Sequence, residues 1–361
     1  MENLIPDAWF VDLHVVWLLM IGVAGMYVLL KGADFLVEGA TGIATRMGMS
    51  KVIVGATIVS LGTTSPEAGV SVTAAFNGDA GIALGNAVGS IIADSALIFG
   101  VCCCLMILPA DRFVLKRQGW VQLGSAVILA AVCYVAYFFA GADGQPELGR
   151  AVGVMMLIGL VVYLWVSVKW GKQHAKQCGE SEASEADEII AKASKDGVMA
   201  SCFYMLGGLL AVLLAGRVVI VCAMVVAERV GIPEMVLAST LVAFGTSLPE
   251  LVVGITAVRK GHGELLVGNI IGADILNVLF VVGASASAKA LPILDAGTAY
   301  PRMFLWFQIP VMLLVLILFR VFIGKAIKSG HFSRWMGYPL LAIYIGYLAV
   351  NVWVGLGSAG H

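Results

Sequence analysis

Long apolar runs alternate along the chain with short polar joints, and ten runs reach the ~20 mostly apolar residues a helix needs to cross hydrocarbon. They fall at about 13–43, 50–76, 82–107, 118–140, 150–170, 198–228, 233–258, 264–287, 302–324 and 335–356. The first and sixth exceed that length, which predicts tilted helices. All eight tryptophans (Trp9, Trp17, Trp120, Trp165, Trp170, Trp306, Trp335 and Trp353) fall near run ends, where an amphipathic ring suits the headgroup level. The pattern predicts an all-α polytopic membrane protein of ten transmembrane helices.

Composition agrees: 60 % of the 361 residues are hydrophobic and 12 % charged, against about a quarter charged in a soluble domain. That balance excludes a soluble enzyme, a nucleic-acid binder and a disordered chain. With a formal net charge of −1, any charge that matters must be local. Six of the seven cysteines (Cys102, Cys103, Cys104, Cys133, Cys202 and Cys222) lie in apolar stretches and Cys178 in a predicted polar loop. Their spacing gives neither a disulfide framework nor a zinc site, so they read as reduced packing residues. Acidic Glu2, Asp7 and Asp12 precede the first run, the opposite of a basic signal-peptide start, so that run is expected to be retained.

Lysine and arginine fix the expected orientation, since positively charged loops stay cytoplasmic. Sixteen lie in or beside joints that follow odd-numbered runs, and four (Arg150, Arg229, Lys289 and Arg302) on the other side. Lys31 and Arg217 sit inside spans. Both termini are therefore expected to be extracytoplasmic. The longest polar stretch, 171–197, mixes lysines with Glu180, Glu182, Glu185, Asp187 and Glu188 and reads as a solvated cytoplasmic linker.

Displacing the chain against itself by 183 residues matches Gly48–Gly100 to Gly231–Gly283 at sixteen of 53 positions without a gap. The identities include Gly62/Gly245, Thr63/Thr246, Pro66/Pro249, Glu67/Glu250, Gly85/Gly268, Asn86/Asn269 and Gly89/Gly272, which shared apolarity alone does not put in register. Five spans, an odd number, separate corresponding helices, so the halves cross the membrane in opposite directions. The expected organisation is two inverted five-helix repeats, 1–170 and 198–361, joined by the linker, an architecture of many secondary transporters.

Within each window lies a Gly-Thr-x-x-Pro-Glu string, Gly62–Glu67 and Gly245–Glu250, near the middle of its span. Proline has no N–H and clashes with the carbonyl four residues back, so the carbonyls of Gly62 and Gly245 lose their helical partners and the helix is expected to kink. Such groups at membrane depth are tolerated where they are buried or line a cavity. Glu67 and Glu250 are the sharpest signal, because an ionisable side chain at mid-membrane is costly unless it faces a pathway, a partner or an ion. The alternative, a protonated structural glutamate, loses ground when two glutamates share one context. Carboxylate, hydroxyl and carbonyl oxygens are hard ligands suited to calcium, sodium or magnesium.

The third helix of each half opens Gly85-Asn86-Ala87-Val88-Gly89-Ser90 and Gly268-Asn269-Ile270-Ile271-Gly272-Ala273, whose glycines allow close helix approach. Asn86 and Asn269 are open to capping, helix bridging or ion binding. Asp94 pairs by repeat with Asn277, so three carboxylates are expected at the centre. Asp274 adds a fourth acid three residues before Asn277 and is read equally as an ion ligand or as a partner that holds one. Lys31, Asp34 and Glu38 have helical pairing distances, with Arg217 in the related region of span six. They are open to interfacial ion pairing or to a gate between the tilted helices and the central bundle.

These residues resemble the two alpha repeats of the calcium/cation antiporter superfamily, most closely its prokaryotic sodium/calcium exchanger branch. The resemblance implies that Thr63, Thr64 and Glu67, with Thr246, Ser247 and Glu250, bind the transported ions, calcium on both glutamates and the threonine carbonyls, sodium at overlapping and flanking positions. It extends to Asp94, Asn277 and Ser90. The family string usually continues Gly-Ser-Asn, whereas this chain has Gly89-Ser90-Ile91 and Gly272-Ala273-Asp274. Ala273 supplies no hydroxyl, so one flanking sodium site is expected to be weakened, replaced by water or lost.

The expected function is antiport of Ca2+ against Na+ at a midplane carboxylate site in a bacterial or archaeal inner membrane. The protein's partners are then those ions and membrane lipid, with no cofactor. Proton coupling and transport of Mg2+ or Mn2+ remain alternatives, and a passive channel is the rival from another class. No nucleophile triad or His-Glu-x-x-His string supports an enzyme.

Overall fold

The computed structural model describes residues 6, 8–47, 49–140, 145–179, 195–230, 243–294 and 303–358. In chain order its helices are α1 (Ala8–Val11), α2 (Val15–Arg46), α3 (Lys51–Thr63), α4 (Ser65–Asn77), α5 (Ala80–Leu105), α6 (Arg112–Phe139) and α7 (Arg150–Gly179). They continue with α8 (Lys195–Arg229), α9 (Ala243–Thr246), α10 (Leu248–Arg259), α11 (Gly263–Ala288), α12 (Phe304–Ser329) and α13 (Gly337–Ser358). Among the described residues, eight helical stretches are long and apolar enough to cross a membrane.

The two predicted runs that carry Gly-Thr-x-x-Pro-Glu are not continuous. One is divided into α3 and α4 at Thr64, and the other breaks between α9 and α10 at Ser247, with 231–242 outside the described residues. The helical ladder is interrupted at these single residues, as the expected kink requires, while Thr64 N–H still reaches the Ser60 carbonyl and Ala68 N–H the Thr64 carbonyl. Pro66 and Pro249 each fall at the second residue of a new helix, where a missing N–H goes unnoticed. The linker core, 180–194, and the acidic Glu2 and Asp7 also lie outside the described residues. Helix α7 runs on into the polar stretch as far as Gly179, so Cys178 stands in its last turn rather than in a loop.

Helices α2 and α8 are antiparallel. Gly22 faces Cys222, Gly32 faces Ala211 and Gly208, and Gly39 faces Met205 and Ser201, so position rises on one helix as it falls on the other. The contact is backbone to backbone at Gly39, where a Cβ would come within 2.3 Å of the Met205 nitrogen. Small residues at this seam give two long helices close approach without interlocking large side chains. Helix α3 lies parallel to α11 at similarly close range. A Cβ on Gly268 would meet the Val52 carbonyl at 2.1 Å, and one on Gly272 the Ala56 carbonyl at 2.4 Å. The expected glycine packing is therefore present on α11.

Two short antiparallel clasps join the halves. Strand β1 (Leu108–Pro109) pairs with β4 (His331–Phe332), and β2 (Glu147–Leu148) with β3 (Leu291–Pro292). Leu108-Pro109 and Leu291-Pro292 are themselves 183 residues apart, so the repeat extends past its densest window. Helices α5 and α11 form the buried centre. The outer helices show apolar side chains such as Val23, Phe139, Val161 and Phe203 on the surface. Seven of the tryptophans are likewise exposed, and Lys169 lies 3.4 Å over the Trp165 ring, Arg320 4.4 Å over Trp120 and Lys325 4.9 Å over Trp335. Such pairs suit an interface where a ring sits in lipid and a cation in water.

Candidate functional site

Each helix break places a glutamate at the start of a helix. Thr64 (φ −80°, ψ −4°) ends α3 and Ser247 (φ −88°, ψ 4°) ends α9, and Glu67 and Glu250 fall in the first turns of α4 and α10. There the unpaired N–H groups and the positive end of the helix dipole favour a carboxylate. The sequence thus makes its own anionic positions, since the proline that ends one helix begins the next. Both glutamates are 1 % exposed.

The two halves interlock across this centre. Thr63 of the first half, whose hydroxyl donates to the Ser60 carbonyl at 3.5 Å, lies beside the Glu250 carboxylate of the second. Thr246 Oγ1 donates to Asn86 Oδ1 at 3.3 Å, and Asn86 Nδ2 donates to the Glu67 carbonyl at 3.3 Å and to Ser71 Oγ at 3.0 Å. Asn86 is therefore a bridge between halves, one of the roles left open for it. Its counterpart Asn269 is also buried, yet neither atom of its amide has a hydrogen-bond partner.

Glu67 faces both Glu250 and Asp94 electrostatically, and Asp94 faces Glu250 and Asp274. Among the described residues, no three His, Cys, Asp or Glu side chains close into a group able to hold one ion. Glu67, Glu250 and Asp94, the three carboxylates expected at the centre, interact pairwise without closing into a compact ligand cluster. An ion here must draw on hydroxyl and amide oxygens as well. Such oxygens are present: Thr64 Oγ1, Glu67 Oε2, Ser90 Oγ, Asp94 Oδ1, Ser247 Oγ, Glu250 Oε2, Asp274 Oδ1 and Asn277 Oδ1 are all buried without a hydrogen-bond partner. Buried polar atoms are seldom left so, and carboxylate, hydroxyl and amide oxygens are of the kind that suits a hard cation.

Asp94 and Asn277 each stand in a π-helical turn, Ala93–Ile98 in α5 and Asn277–Val282 in α11. Such turns loosen the backbone ladder and recur at functional sites. A third π-turn, Gly55–Val59 in α3, has its Ala56 carbonyl 3.0 Å from the Tyr163 hydroxyl, which also lies 2.9 Å from Gln118 Oε1.

Asp274 is gripped from the other half. Ser95 Oγ donates to its Oδ2 at 2.5 Å and Gln122 Nε2 to the same oxygen at 2.6 Å. Neither residue was found by reading the sequence. Ser95 follows Asp94 directly and Gln122 is an amide inside an apolar run, but the contacts join positions 179 and 152 residues apart.

Lys31, Asp34 and Glu38 lie away from the buried oxygens, on α2, and Arg217 is on α8. Lys31 pairs with Asp34 at 3.9 Å as its spacing suggests, but the closer partner is Lys260 at the end of α10. Lys260 Nζ reaches Asp34 Oδ1 at 3.2 Å and Glu38 Oε1 at 2.8 Å. The three groups tie α2 to the element that carries Glu250.

The sodium/calcium exchanger protein family matches residues 15–169 and 200–353. The chain is 29 % identical over 349 residues to the sodium/calcium exchanger MaX1 of Methanosarcina acetivorans, covering 91 % of this chain and 97 % of that one. It is 33 % identical over 333 residues to the inner membrane protein YrbG of Escherichia coli, covering 92 % and 96 %. A solved structure of the sodium-calcium exchanger NCX_Mj soaked with Na+ and Sr2+ superposes with a TM-score of 0.74 at 28 % identity, covering 93 % of this chain and 99 % of that one. A mostly helical fold with eight apolar spans and this match are those of a multi-pass cell-membrane transporter. The chain belongs to the sodium/calcium exchanger family of the calcium/cation antiporter superfamily.

Proposed function

We propose that this chain exports Ca2+ from the cytoplasm in exchange for Na+, by alternating access at a midplane site built from Glu67, Glu250, Thr63, Thr246, Thr64, Ser247, Asp94, Asn277, Ser90 and Asp274. The observation that carries the reading is the set of buried, unpartnered oxygens on three repeat-related pairs, Thr64/Ser247, Glu67/Glu250 and Asp94/Asn277, joined by those of Ser90 and Asp274. Carboxylates in a low-dielectric centre must be neutralised before the site can change its facing, and one divalent ion or several monovalent ions can do so. An empty, ionised centre resists the change, and this makes the transport an exchange.

The proposed frame is ten spans in two inverted five-helix repeats, 1–170 and 198–361, around a cytoplasmic linker at 171–197, with both termini extracytoplasmic. The broken pairs α3/α4 and α9/α10 count as spans two and seven. The antiparallel course of α2 against α8 supports the inversion. The Lys260 pairs with Asp34 and Glu38 would act in one facing state as the gate between the outer pair and the bundle.

Proton coupling is the second reading, favoured by Ala273, which lacks the hydroxyl of Ser90, beside the added acid Asp274. Radiocalcium uptake into proteoliposomes under an imposed sodium or pH gradient separates the two. Sodium-driven uptake that Glu250→Gln abolishes is the expected result. Uptake driven by the pH gradient alone moves the coupling to protons, uptake that needs no counter-gradient indicates a channel, and Mg2+ or Mn2+ competition tests the divalent ion.

A further inference from the structure

The repeat predicts symmetry at the centre, and one cluster violates it. Asp274, Ser95 and Gln122 meet in one network, Gln122 Nε2 also lying 3.4 Å from Ser95 Oγ. The repeat counterparts of Asp274 and Ser95 are Ile91 and Val278, both buried and apolar. The frame therefore does not require polar groups here, and burying them costs free energy unless something they bind offsets it.

The network is also electrically incomplete. Asp274 and Asp94 are each 1 % exposed and lie within electrostatic reach of one another. Each keeps one carboxylate oxygen without a hydrogen-bond partner, and so does Asn277 one helical turn further along α11. No ion pair found among the described residues involves either acid. Two such carboxylates in a dry interior call for a positive charge between or beside them.

Ser95 and Gln122 both donate to Asp274 Oδ2, leaving Oδ1 as the free oxygen. Calcium takes six to eight oxygens. A single free oxygen from Asp274, one from Asp94 and one from Asn277 would leave the rest of the shell of either calcium or sodium to water or backbone carbonyls, and the exchange reading supplies sodium as the ion. The donors fix the carboxylate's orientation, and the opposite oxygen stays available.

We infer that Asp274, oriented by Ser95 and Gln122 and within electrostatic reach of Asp94, holds a sodium ion at a position of its own beside the two-glutamate centre. This rests on the exchange reading for the identity of the ion and its role in transport. It places a monovalent ion one residue beyond Ala273, where the repeat would otherwise supply a hydroxyl. Gln122 and Ser95 are positioning residues and Asp274 the ligand.

The test uses the full chain, purified in detergent and in proteoliposomes. The thermal midpoint is measured across a sodium chloride series balanced with choline chloride, for the native chain, Asp274→Asn and Gln122→Leu. Sodium should stabilise the native chain, and Asp274→Asn should shift half-stabilisation to at least several-fold higher sodium. Gln122→Leu should shift it in the same direction by less. In vesicles, the Hill coefficient for sodium-driven calcium release should fall in Asp274→Asn. Unchanged sodium dependence of both readouts overturns the inference. If Asp274→Asn does not fold, Gln122→Leu decides. A variant midpoint that falls equally in choline and in sodium makes the network merely structural and overturns the site. Failure of the native chain to exchange sodium for calcium would refute the proposed function, while the sodium series still reads this site.

Discussion

Helices α5 and α11 occupy equivalent places in the repeat, yet they are finished differently. The apolar window of α11 is 89 % buried and that of α5 72 %, and every residue from Gly263 to Leu276 is buried apart from Glu264. On α5 the repeat asparagine is spent on structure: Asn86 holds the Glu67 carbonyl, Ser71 and Thr246. On α11 the same asparagine has no partner, and Asp274 and Asn277 each keep a free oxygen. Ser71 is matched by Gly254, so the second half lacks one of the partners that Asn86 uses. Repetition supplies a frame that is alike in both halves. The unmatched residues decide which of the two asparagines ties the halves together and which is left without a partner.

The sharpest way to break this comparison is at its most symmetric point. Glu67→Gln and Glu250→Gln each remove one buried charge from matched helix starts. Calcium uptake should fall in both by a hundredfold or so, the scale of one charge at short range in a partly screened interior. Losses that differ by more than about tenfold would show that the frame is not functionally symmetric. Next in size is a transposition. Asp94→Asn should lower uptake about tenfold, as losing a hydrogen-bonding charge does. The double variant Asp94→Asn with Asn277→Asp should recover most of it if the repeat places the two positions equally around the site. No recovery would tie Asp94 to its own surroundings, Tyr344 and Asp274 among them.

The asparagines give a smaller but cleaner contrast. Asn86→Ala removes three hydrogen bonds from a bridge and should cost about 1–3 kcal/mol of stability, read as a lower thermal midpoint in detergent. Asn269→Ala removes none and should leave the midpoint close to native while changing transport. Equal destabilisation by both would erase the distinction between a structural and a free asparagine.

Much of this frame is legible in the sequence because hydropathy reports on lipid against water, and a proline four residues after a glycine carbonyl has one outcome in a helix. Eight of the ten apolar runs correspond to long apolar helices among the described residues, and Glu67 and Glu250 stand out as acids where acids are costly. Less legible is which neighbour a buried polar group meets. Ser95 and Gln122 reach Asp274, and Lys260 reaches Glu38, across 152 to 222 residues, distances over which no local pattern operates. The π-turns and the pairing of β1 with β4 also depend on packing between elements. Leu108-Pro109 and Leu291-Pro292 did carry a signal, in register with the same displacement, outside the window where identity is dense.

The smallest expected effect lies at the turns that precede the two central helices. Gly78 (φ 96°) and Gly261 (φ 76°) are repeat partners, each in the left-handed conformation that a glycine adopts freely. The next residue is Asp79 before α5 and His262 before α11. His262 Nδ1 lies 3.3 Å from Lys51 Nζ, and because an ammonium only donates, the ring must accept and be neutral there. Partial burial, with Lys51 and then Lys260 nearby, lowers its pKa below the ordinary histidine value. The unfolded chain therefore takes up the proton first as pH falls. The folded state should lose stability as pH drops below about 6.5 toward the folded pKa and be insensitive to this group above it. His262→Asn should flatten that part of the profile, measured as thermal midpoint between about pH 5 and 8. The change should be small, since the ring is only partly buried. A native profile that is already flat there would mean that the two turns are equivalent after all.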